Sequence, residues 1–179
     1  KRQIYVRPEL IDQVRPALSG WLGHQAPFAF DLDYRPGDGI SRMRVGTPPV
    51  IQMAVLDAAL DAFEGVDMND LRARSIELSE QFIAEVEAGC KDVELASPRD
   101  PNLRGSQVSF RFHEGYAGMQ ALIARGIIGD FRAPDIMRFG FCPLYNTSEE
   151  VSHAASALCE IIATGEWDKP EFKARKAVT

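Results

Sequence analysis

The chain has 179 residues, of which 45% are hydrophobic and 26% are charged, a composition typical of soluble globular proteins. Its net charge of −6 and its pI near 5.1 argue against a nucleic-acid-binding surface, which requires clustered lysine and arginine. No apolar run approaches the roughly 20 residues of a membrane helix, and the first residues do not form a signal peptide. We therefore expect neither nucleic acid nor a membrane as a partner.

The cysteines and histidines do not form a metal-binding pattern. Cys90, Cys142 and Cys159 are odd in number and widely spaced, which predicts reduced thiols in a cytoplasmic protein. The three histidines have no ligand-like spacing to one another or to cysteine, so no metal site is expected.

Proline and glycine divide the first 50 residues into short stretches. They lie at Pro8, Pro16, Gly20, Gly23, Pro27, Pro36, Gly37, Gly39, Gly46, Pro48 and Pro49. Such spacing allows short strands and turns but no long helix. Two interpretations stay open for this segment: a meandering stretch that packs on a larger body, or a poorly ordered chain end.

Two helices are predicted next. Pro48 and Pro49 suit a first helical turn, and the residues after them indicate a broadly apolar helix to about Glu64. A second helix begins near Asp67 or Asn69, both good N-caps, and it ends near Gly89. Its inward positions are Leu71, Ser75, Leu78, Phe82 and Val86.

Three short strands are predicted near residues 93–95, 106–112 and 136–142, with helices between them. This order indicates an α+β fold in which a small antiparallel sheet is covered by helices on one side.

The remaining helices have clear ends. One helix runs from about Tyr116 to Ala124 and stops at Arg125-Gly126, a basic last turn followed by glycine. Thr147 and Glu150 form a candidate capping box for the final helix. The charged tail from Trp167 is predicted to be frayed.

The last strand contains an arginine among aromatic residues. Alternation puts Met137, Phe139 and Phe141 on one face and Arg138 on the other, where its next same-face neighbour is Gly140. The glycine leaves open space beside the guanidinium, which can bind a carboxylate through two parallel hydrogen bonds. The alternative is a surface arginine on a half-buried strand.

Two further residues suit an anion. Trp21 lies in a glycine-flanked turn, where its indole N–H can donate to a phosphate oxygen or its ring can simply fill an apolar gap. Thr47 precedes the first long helix, where a hydroxyl can contact an anion or serve as an ordinary N-cap.

Other polar residues have simpler interpretations. Arg42 and Arg44 are predicted to face solvent. Arg111 and His113 share one face of a strand and suggest either acid–base chemistry or, more simply, a solvated sheet face. His24 has two open roles: orienting the turn that contains Trp21, or lining the mouth of a site.

Several motifs together resemble kynureninase, a pyridoxal-phosphate (PLP) enzyme of the aminotransferase-like fold. Their order and approximate spacing match, and the resemblance runs through most of the chain. The motifs are Gly20-Trp21-Leu22-Gly23-His24, Val45-Gly46-Thr47-Pro48-Pro49, the 136–147 segment, Arg104-Gly105-Ser106-Gln107-Val108-Ser109-Phe110-Arg111 and Ala163-Thr164-Gly165-Glu166-Trp167.

The resemblance implies a function and a role for each candidate residue. It implies hydrolysis of L-kynurenine to anthranilate and L-alanine, with Arg138 binding the substrate α-carboxylate. Trp21 and Thr47 would hold PLP and reach across from the other subunit of a homodimer. Residues 1–50 would end the large PLP-binding domain of a fold-type I enzyme, and residues 51–179 would form its small C-terminal domain.

The cofactor lysine of such enzymes is not recognisable here. None of the five lysines follows an apolar strand and precedes a glycine-rich turn. We therefore expect the chain to be the C-terminal part of a longer protein, to contain no catalytic residue and to be inactive alone.

The sequence leaves two rival functions open. One is another aminotransferase-like PLP enzyme, such as a cysteine desulfurase, although Cys142 lies in a predicted strand and Cys90 and Cys159 lie at helix-like positions. The other is a non-catalytic dimerisation or binding module.

Overall fold

Short turns dominate the first of two units, Lys1–Ala62, in the computed structural model, which describes residues 4–174. Pro8–Leu10, Trp21–Gly23 and Gly39–Met43 form 3₁₀ turns, and His24 and Pro36 form an isolated antiparallel bridge. The predicted irregular segment is thus confirmed, because frequent proline and glycine prevent longer elements.

The first unit ends in an apolar helix, α1 (Val50–Leu60), followed by a 3₁₀ turn at Asp61–Phe63. Pro49 is the N-cap residue, so the two prolines precede the first helical turn rather than form it. No residue of α1 is buried. The chain divides after Ala62 rather than at residue 50, and the assignment of residues 1–50 to a large domain stays a prediction.

A four-stranded antiparallel sheet forms the centre of the second unit, Phe63–Thr179. The spatial order of the strands is β1-β2-β4-β3. Their bounds are β1 (Glu94–Leu95), β2 (Gln107–Arg111), β3 (Asp130–Arg132) and β4 (Ile136–Gly140). The predicted α+β fold is confirmed, and β3 is a strand in addition to the three predicted.

Within residues 63–174 four helices accompany the sheet, and two of them begin at the predicted caps. They are α2 (Met68–Gly89), α3 (Gly115–Ala124), α4 (Ser148–Thr164) and α5 (Pro170–Lys173). The Asp67 side chain accepts hydrogen bonds from the backbone N–H groups of Asn69 and Asp70 and so caps α2. The predicted capping box of Thr147 and Glu150 is present at α4.

The core lies between the helices and one face of the sheet. Val108, Phe110 and Met137 are fully buried on that face, as the alternation predicts. Phe82 of α2 packs on the sheet, with its ring centroid 6.0 Å from that of Phe110 and 4.8 Å from that of Phe139. The opposite face of the sheet is left for polar residues.

The predicted fraying of the tail from Trp167 is wrong as far as Lys173. The Trp167 ring lies 5.5 Å from Phe112 and packs against the core, and Phe172 of α5 is only 8% exposed. These two aromatic side chains anchor the segment, because burying them offsets the cost of ordering charged neighbours. The part of this prediction that concerns residues 175–179 lies outside the described residues.

Candidate functional site

Glycine brings the two anion-binding motifs of the first unit together. A Cβ atom added at Gly20 would lie 1.7 Å from the carbonyl oxygen of Val45, a contact that only glycine permits. A Cβ atom at Gly23 would lie 2.7 Å from the carbonyl oxygen of Arg42. The segment that contains Trp21 therefore lies directly against the segment that leads to Thr47.

Trp21 lines a cleft of about 430 Å³ in this unit. Its side chain is 49% exposed, and the Phe28 ring contacts it edge-on at 5.6 Å between centroids. Within residues 4–174 no group accepts a hydrogen bond from the indole N–H, so this donor is available to a ligand. The other lining residues are Ser19, Gly20, His24, Ala26, Pro27, Phe30, Asp31, Leu32 and Tyr34.

Thr47 is exposed and lies two residues before the N-cap of α1. The N-cap residue of α1 makes no side-chain capping hydrogen bond, and Pro49 rather than Thr47 holds that position. The alternative role of Thr47 as an ordinary N-cap is therefore wrong, because the second proline delays the helix start. A Cβ atom at the neighbouring Gly46 would have no heavy atom within 4 Å, so the position before Thr47 is open.

His24 holds the Trp21 turn in place. Its Nδ1 accepts a hydrogen bond from the backbone N–H of Ala26 at 2.9 Å, which assigns the proton to Nε2. Nε2 then donates to the carbonyl oxygen of Asp33 at 3.2 Å. Both ring nitrogens are thus engaged with backbone, which supports orientation of the turn, and His24 also lines the cleft beside Trp21, so both roles stay open.

The prediction that Arg42 faces solvent is wrong. Its side chain is 10% exposed and donates through Nε to the carbonyl oxygen of Gly37, at 3.1 Å, and through Nη2 to Asp12. The guanidinium satisfies backbone carbonyls inside a loop-rich unit that has few regular hydrogen bonds. Arg44 is exposed, as predicted.

Arg138 lies in the second unit, on the sheet face opposite the core. Its strand neighbours Met137 and Phe139 are buried, while the Arg138 side chain is 27% exposed. A Cβ atom at Gly140 would have no heavy atom within 4 Å, so the predicted open space beside the guanidinium is present. β4 ends at Gly140, and Phe141 continues the pairing through one hydrogen bond to the carbonyl oxygen of Ser106.

Asp130, a residue that the sequence analysis missed, pairs with Arg138. The register of β3 on β4 places the two residues opposite each other, and Arg138 Nη2 donates to Asp130 Oδ2. The pKa of the Asp130 carboxyl lies below its usual value, chiefly because of this hydrogen bond. The alternation of Asp130-Phe131-Arg132 was the available signal, but one apolar residue between two charges is weak evidence for a strand.

The other polar candidates have structural partners. Arg111 forms ion pairs with Glu94 at 3.4 Å and with Asp135 at 3.1 Å, as expected for a solvated sheet face. His113 packs its ring edge-on against Trp167 at 5.4 Å between centroids. Within residues 4–174 no three His, Cys, Asp or Glu side chains form a group that fits a metal ion.

Cys142 lies in a turn, so its predicted place inside a strand is wrong. Its backbone N–H donates to Asn146 Oδ1 at 2.7 Å, and its carbonyl oxygen accepts from the N–H of Asn146 at 2.8 Å. Cys159 lies in α4 and Cys90 at the end of α2, where it is buried. All three cysteines are free thiols.

Solved structures share the fold of this chain. A cysteine desulfurase from Thermococcus onnurineus NA1 aligns with a TM-score of 0.70 and 19% identity, over 89% of this chain and 42% of that one. The cystine C-S lyase C-DES aligns with a TM-score of 0.68 and 21% identity, over 87% and 41% of the two chains. The fold is that of the C-terminal part of fold-type I, aminotransferase-like enzymes.

Sequence comparison finds kynureninases. Residues 71–158 match the kynureninase C-terminal domain family. The kynureninase of Pseudomonas fluorescens is 46% identical over 178 residues, which cover 98% of this chain and 43% of that protein. The kynureninase of Burkholderia mallei strain SAVP1 is 46% identical over 164 residues, which cover 90% and 39%. The chain thus spans less than half the length of these relatives and corresponds to their C-terminal part.

The structure describes the site residues in two separate groups. Trp21 and Thr47 belong to segments that lie together in the first unit, and Arg138 belongs to the second.

No helix in residues 4–174 has both the length and the apolar character needed to cross a membrane.

Proposed function

We propose that the whole protein is a PLP-dependent kynureninase, which hydrolyses L-kynurenine to anthranilate and L-alanine in tryptophan catabolism and NAD biosynthesis. The observation that supports this most directly is the 46% identity to the Pseudomonas fluorescens kynureninase over 98% of the chain. The matched region extends over both units and contains the positions of Trp21, Thr47 and Arg138.

The exposed donors of the first unit fit the phosphate of PLP. The indole N–H of Trp21 has no acceptor within residues 4–174, and Thr47 is exposed and follows Gly46, whose surroundings are open. Neutral donors of this kind suit an anion without adding charge. When bound, PLP would withdraw electrons from the substrate during carbon–carbon cleavage. The lysine that binds it would lie outside this chain.

Arg138 would bind the α-carboxylate of the amino-acid substrate. The guanidinium lies on the face of the sheet that the core leaves open, and its terminal nitrogens can donate two parallel hydrogen bonds to a carboxylate. The strand behind it is buried, so the arginine has a rigid base. Fixing the carboxylate would orient the bond to be cleaved and raise the rate through positioning.

We further propose a cytoplasmic homodimer with shared active sites. Trp21 and Thr47 would contact the cofactor held by the other subunit, while Arg138 would bind the substrate. Three free thiols without a disulfide agree with a reducing compartment.

A cysteine desulfurase is the second candidate, because a desulfurase of Thermococcus onnurineus NA1 has the same fold. Its identity to this chain is only 19%. Cys142 is held in a hydrogen-bonded turn, Cys159 lies within a helix and Cys90 is buried. A non-catalytic dimerisation module is the remaining alternative.

The test is an assay of the full-length protein with PLP. We expect L-kynurenine to yield anthranilate, detected by fluorescence, and an equal amount of L-alanine. Release of sulfide from L-cysteine without anthranilate would favour the desulfurase, and no product from either substrate would favour the non-catalytic module.

A further inference from the structure

Strand pairing places Asp130 directly opposite Arg138 on the sheet face away from the core. Residues opposite each other in an antiparallel pair project to the same side with their Cβ atoms about 5 Å apart. This register lets Arg138 donate through Nη2 to Asp130 Oδ2. Asp130 is therefore the nearest fixed anion to the guanidinium assigned to the substrate carboxylate.

Asp130 occupies only part of the guanidinium. Nε of Arg138 is buried and has no hydrogen-bond acceptor within residues 4–174, and Nη1 has none there either. Gly140 leaves the adjacent position on the same strand without a side chain. Because Nε is buried, the donors left to a bound carboxylate are Nη1 and the second N–H of Nη2, beside the open space at Gly140.

The charge around Asp130 keeps the site attractive to an anion. Asp130 Oδ2 lies 3.2 Å from Nη2 of Arg132 in addition to its contact with Arg138. One carboxylate is thus shared between two guanidinium groups, which leaves a net positive charge on this group of three side chains. Asp130 restricts the rotation of Arg138 without neutralising both arginines.

We propose that Asp130 is a positioning residue for Arg138, which holds the guanidinium so that its remaining N–H groups receive the substrate carboxylate. This inference rests on the proposed role of Arg138. A long side chain loses rotamer entropy when it binds a ligand, and Asp130 would reduce that cost because it orders the arginine beforehand. The opposite possibility is competition, in which Asp130 must be displaced before the carboxylate binds.

Inhibition of the full-length enzyme by L-alanine and L-alaninamide tests the inference, because the two compounds differ only at the carboxylate. We expect Asp130→Ala to weaken inhibition by L-alanine about tenfold, the order expected for one lost charged hydrogen bond, and to leave L-alaninamide nearly unchanged. Asp130→Asn should restore most of the affinity, since its amide oxygen still accepts from Nη2. Glu94→Ala, which removes a carboxylate paired with Arg111 on the same sheet face, should change neither constant.

The outcomes separate this inference from the proposed function. Tighter binding of L-alanine by both Asp130 variants would establish competition and overturn the positioning role. Equal weakening of both compounds would show that Asp130 is structural and would also overturn it. Arg138→Ala tests the underlying assignment: if it keeps the preference of the wild type for the acid over the amide, Arg138 does not bind the carboxylate. In that background, Asp130→Ala should have no further effect.

Discussion

Arg138 combines a rigid base with an accessible head group. Met137 and Phe139 are buried on either side of it in the strand, so the backbone is fixed while the guanidinium remains 27% exposed. The planar guanidinium matches a carboxylate in two places, whereas a lysine ammonium is a point charge. These properties lead to a graded expectation for substitutions at this position.

In the full-length enzyme, Arg138→Ala should reduce kcat/KM for L-kynurenine severely and leave the PLP content nearly unchanged. Removing one side of a bidentate charged contact costs about 3 kcal/mol, on the order of a hundredfold in rate. Arg138→Lys should recover only part of this loss. Steady-state kinetics and the PLP absorbance of the purified variants provide the measurement. Loss of activity toward the acid and the amide of kynurenine in equal proportion would show that Arg138 is structural.

Helix α4 depends on its capping box. Thr147 Oγ accepts from the backbone N–H of Glu150 at 3.2 Å, and Glu150 Oε2 accepts from the backbone N–H of Thr147 at 3.0 Å. Thr147→Ala should lower the free energy of unfolding by about 1 kcal/mol, as for other lost N-caps. Urea unfolding of the 179-residue chain, followed by circular dichroism, measures the difference. Thr164→Ala is the control, because the Thr164 hydroxyl donates to the carbonyl oxygen of Glu160 at the C-terminal end of α4 and takes no part in the N-cap.

The same cap predicts a pH dependence. The pKa of Glu150 lies below its ordinary value of 4.5, chiefly because the backbone N–H of Thr147 donates to the carboxylate. A carboxyl whose pKa is lower in the folded state than in the unfolded state stabilises the fold at any pH above its unfolded-state pKa. This stabilisation is lost as the pH falls through the folded-state pKa. Glu150→Gln should therefore reduce the acid sensitivity of unfolding below about pH 4.5. An unchanged pH profile in this variant would place the sensitivity elsewhere.

Phe82 joins α2 to the sheet. It is fully buried, and its ring contacts those of Phe110, Phe139 and Phe141. Phe82→Ala should lower the free energy of unfolding by about 3–5 kcal/mol, because the surrounding rings cannot collapse into the cavity. Ile128→Ala is the control, because it removes a large apolar side chain that is 86% exposed. It should change the free energy of unfolding by less than about 0.5 kcal/mol in the same urea titration.

The chain alone should neither cleave L-kynurenine nor form a specific imine with PLP. Lys91 donates to the carbonyl oxygen of Glu87 at 3.0 Å, and Lys169 lies 3.6 Å from Glu166. Asp168 raises the pKa of Lys173, which disfavours the neutral amine that an imine requires. Lys1 and Lys176 lie outside the described residues. Borohydride reduction with PLP, followed by mass spectrometry, should find no stoichiometric adduct; such an adduct on any of the five lysines would refute the expectation.

Sharing of the active site between subunits can be tested by complementation. A full-length Trp21→Ala subunit mixed with a subunit that lacks its cofactor lysine should regain part of the activity, because one site in each heterodimer is then intact. Absence of rescue, once subunit exchange has been verified, would place both functions in a single subunit.

Local signals predicted most elements of the second unit. The predicted strands near 106–112 and 136–142 are present as Gln107–Arg111 and Ile136–Gly140, and the caps at Asp67 and Thr147 are present as predicted. Each of these signals depends on neighbours within a few residues. The weak strand β3 and the ordered tail are different. Asp130 becomes a strand residue by pairing with β4, and Trp167 is ordered by Phe112, a residue distant in sequence.

The amino-acid sequence alone determined the family resemblance, the α+β class and the placing of Arg138 opposite an apolar strand face, because motif order and two-residue periodicity are properties of the chain. Only the tertiary structure decided that Gly20 lies against Val45, that Arg42 is buried and that Asp130 pairs with Arg138. Each of these depends on a contact between segments distant in sequence or on a strand register. Such contacts are selected by packing and hydrogen bonding across the whole unit, and no local pattern specifies them.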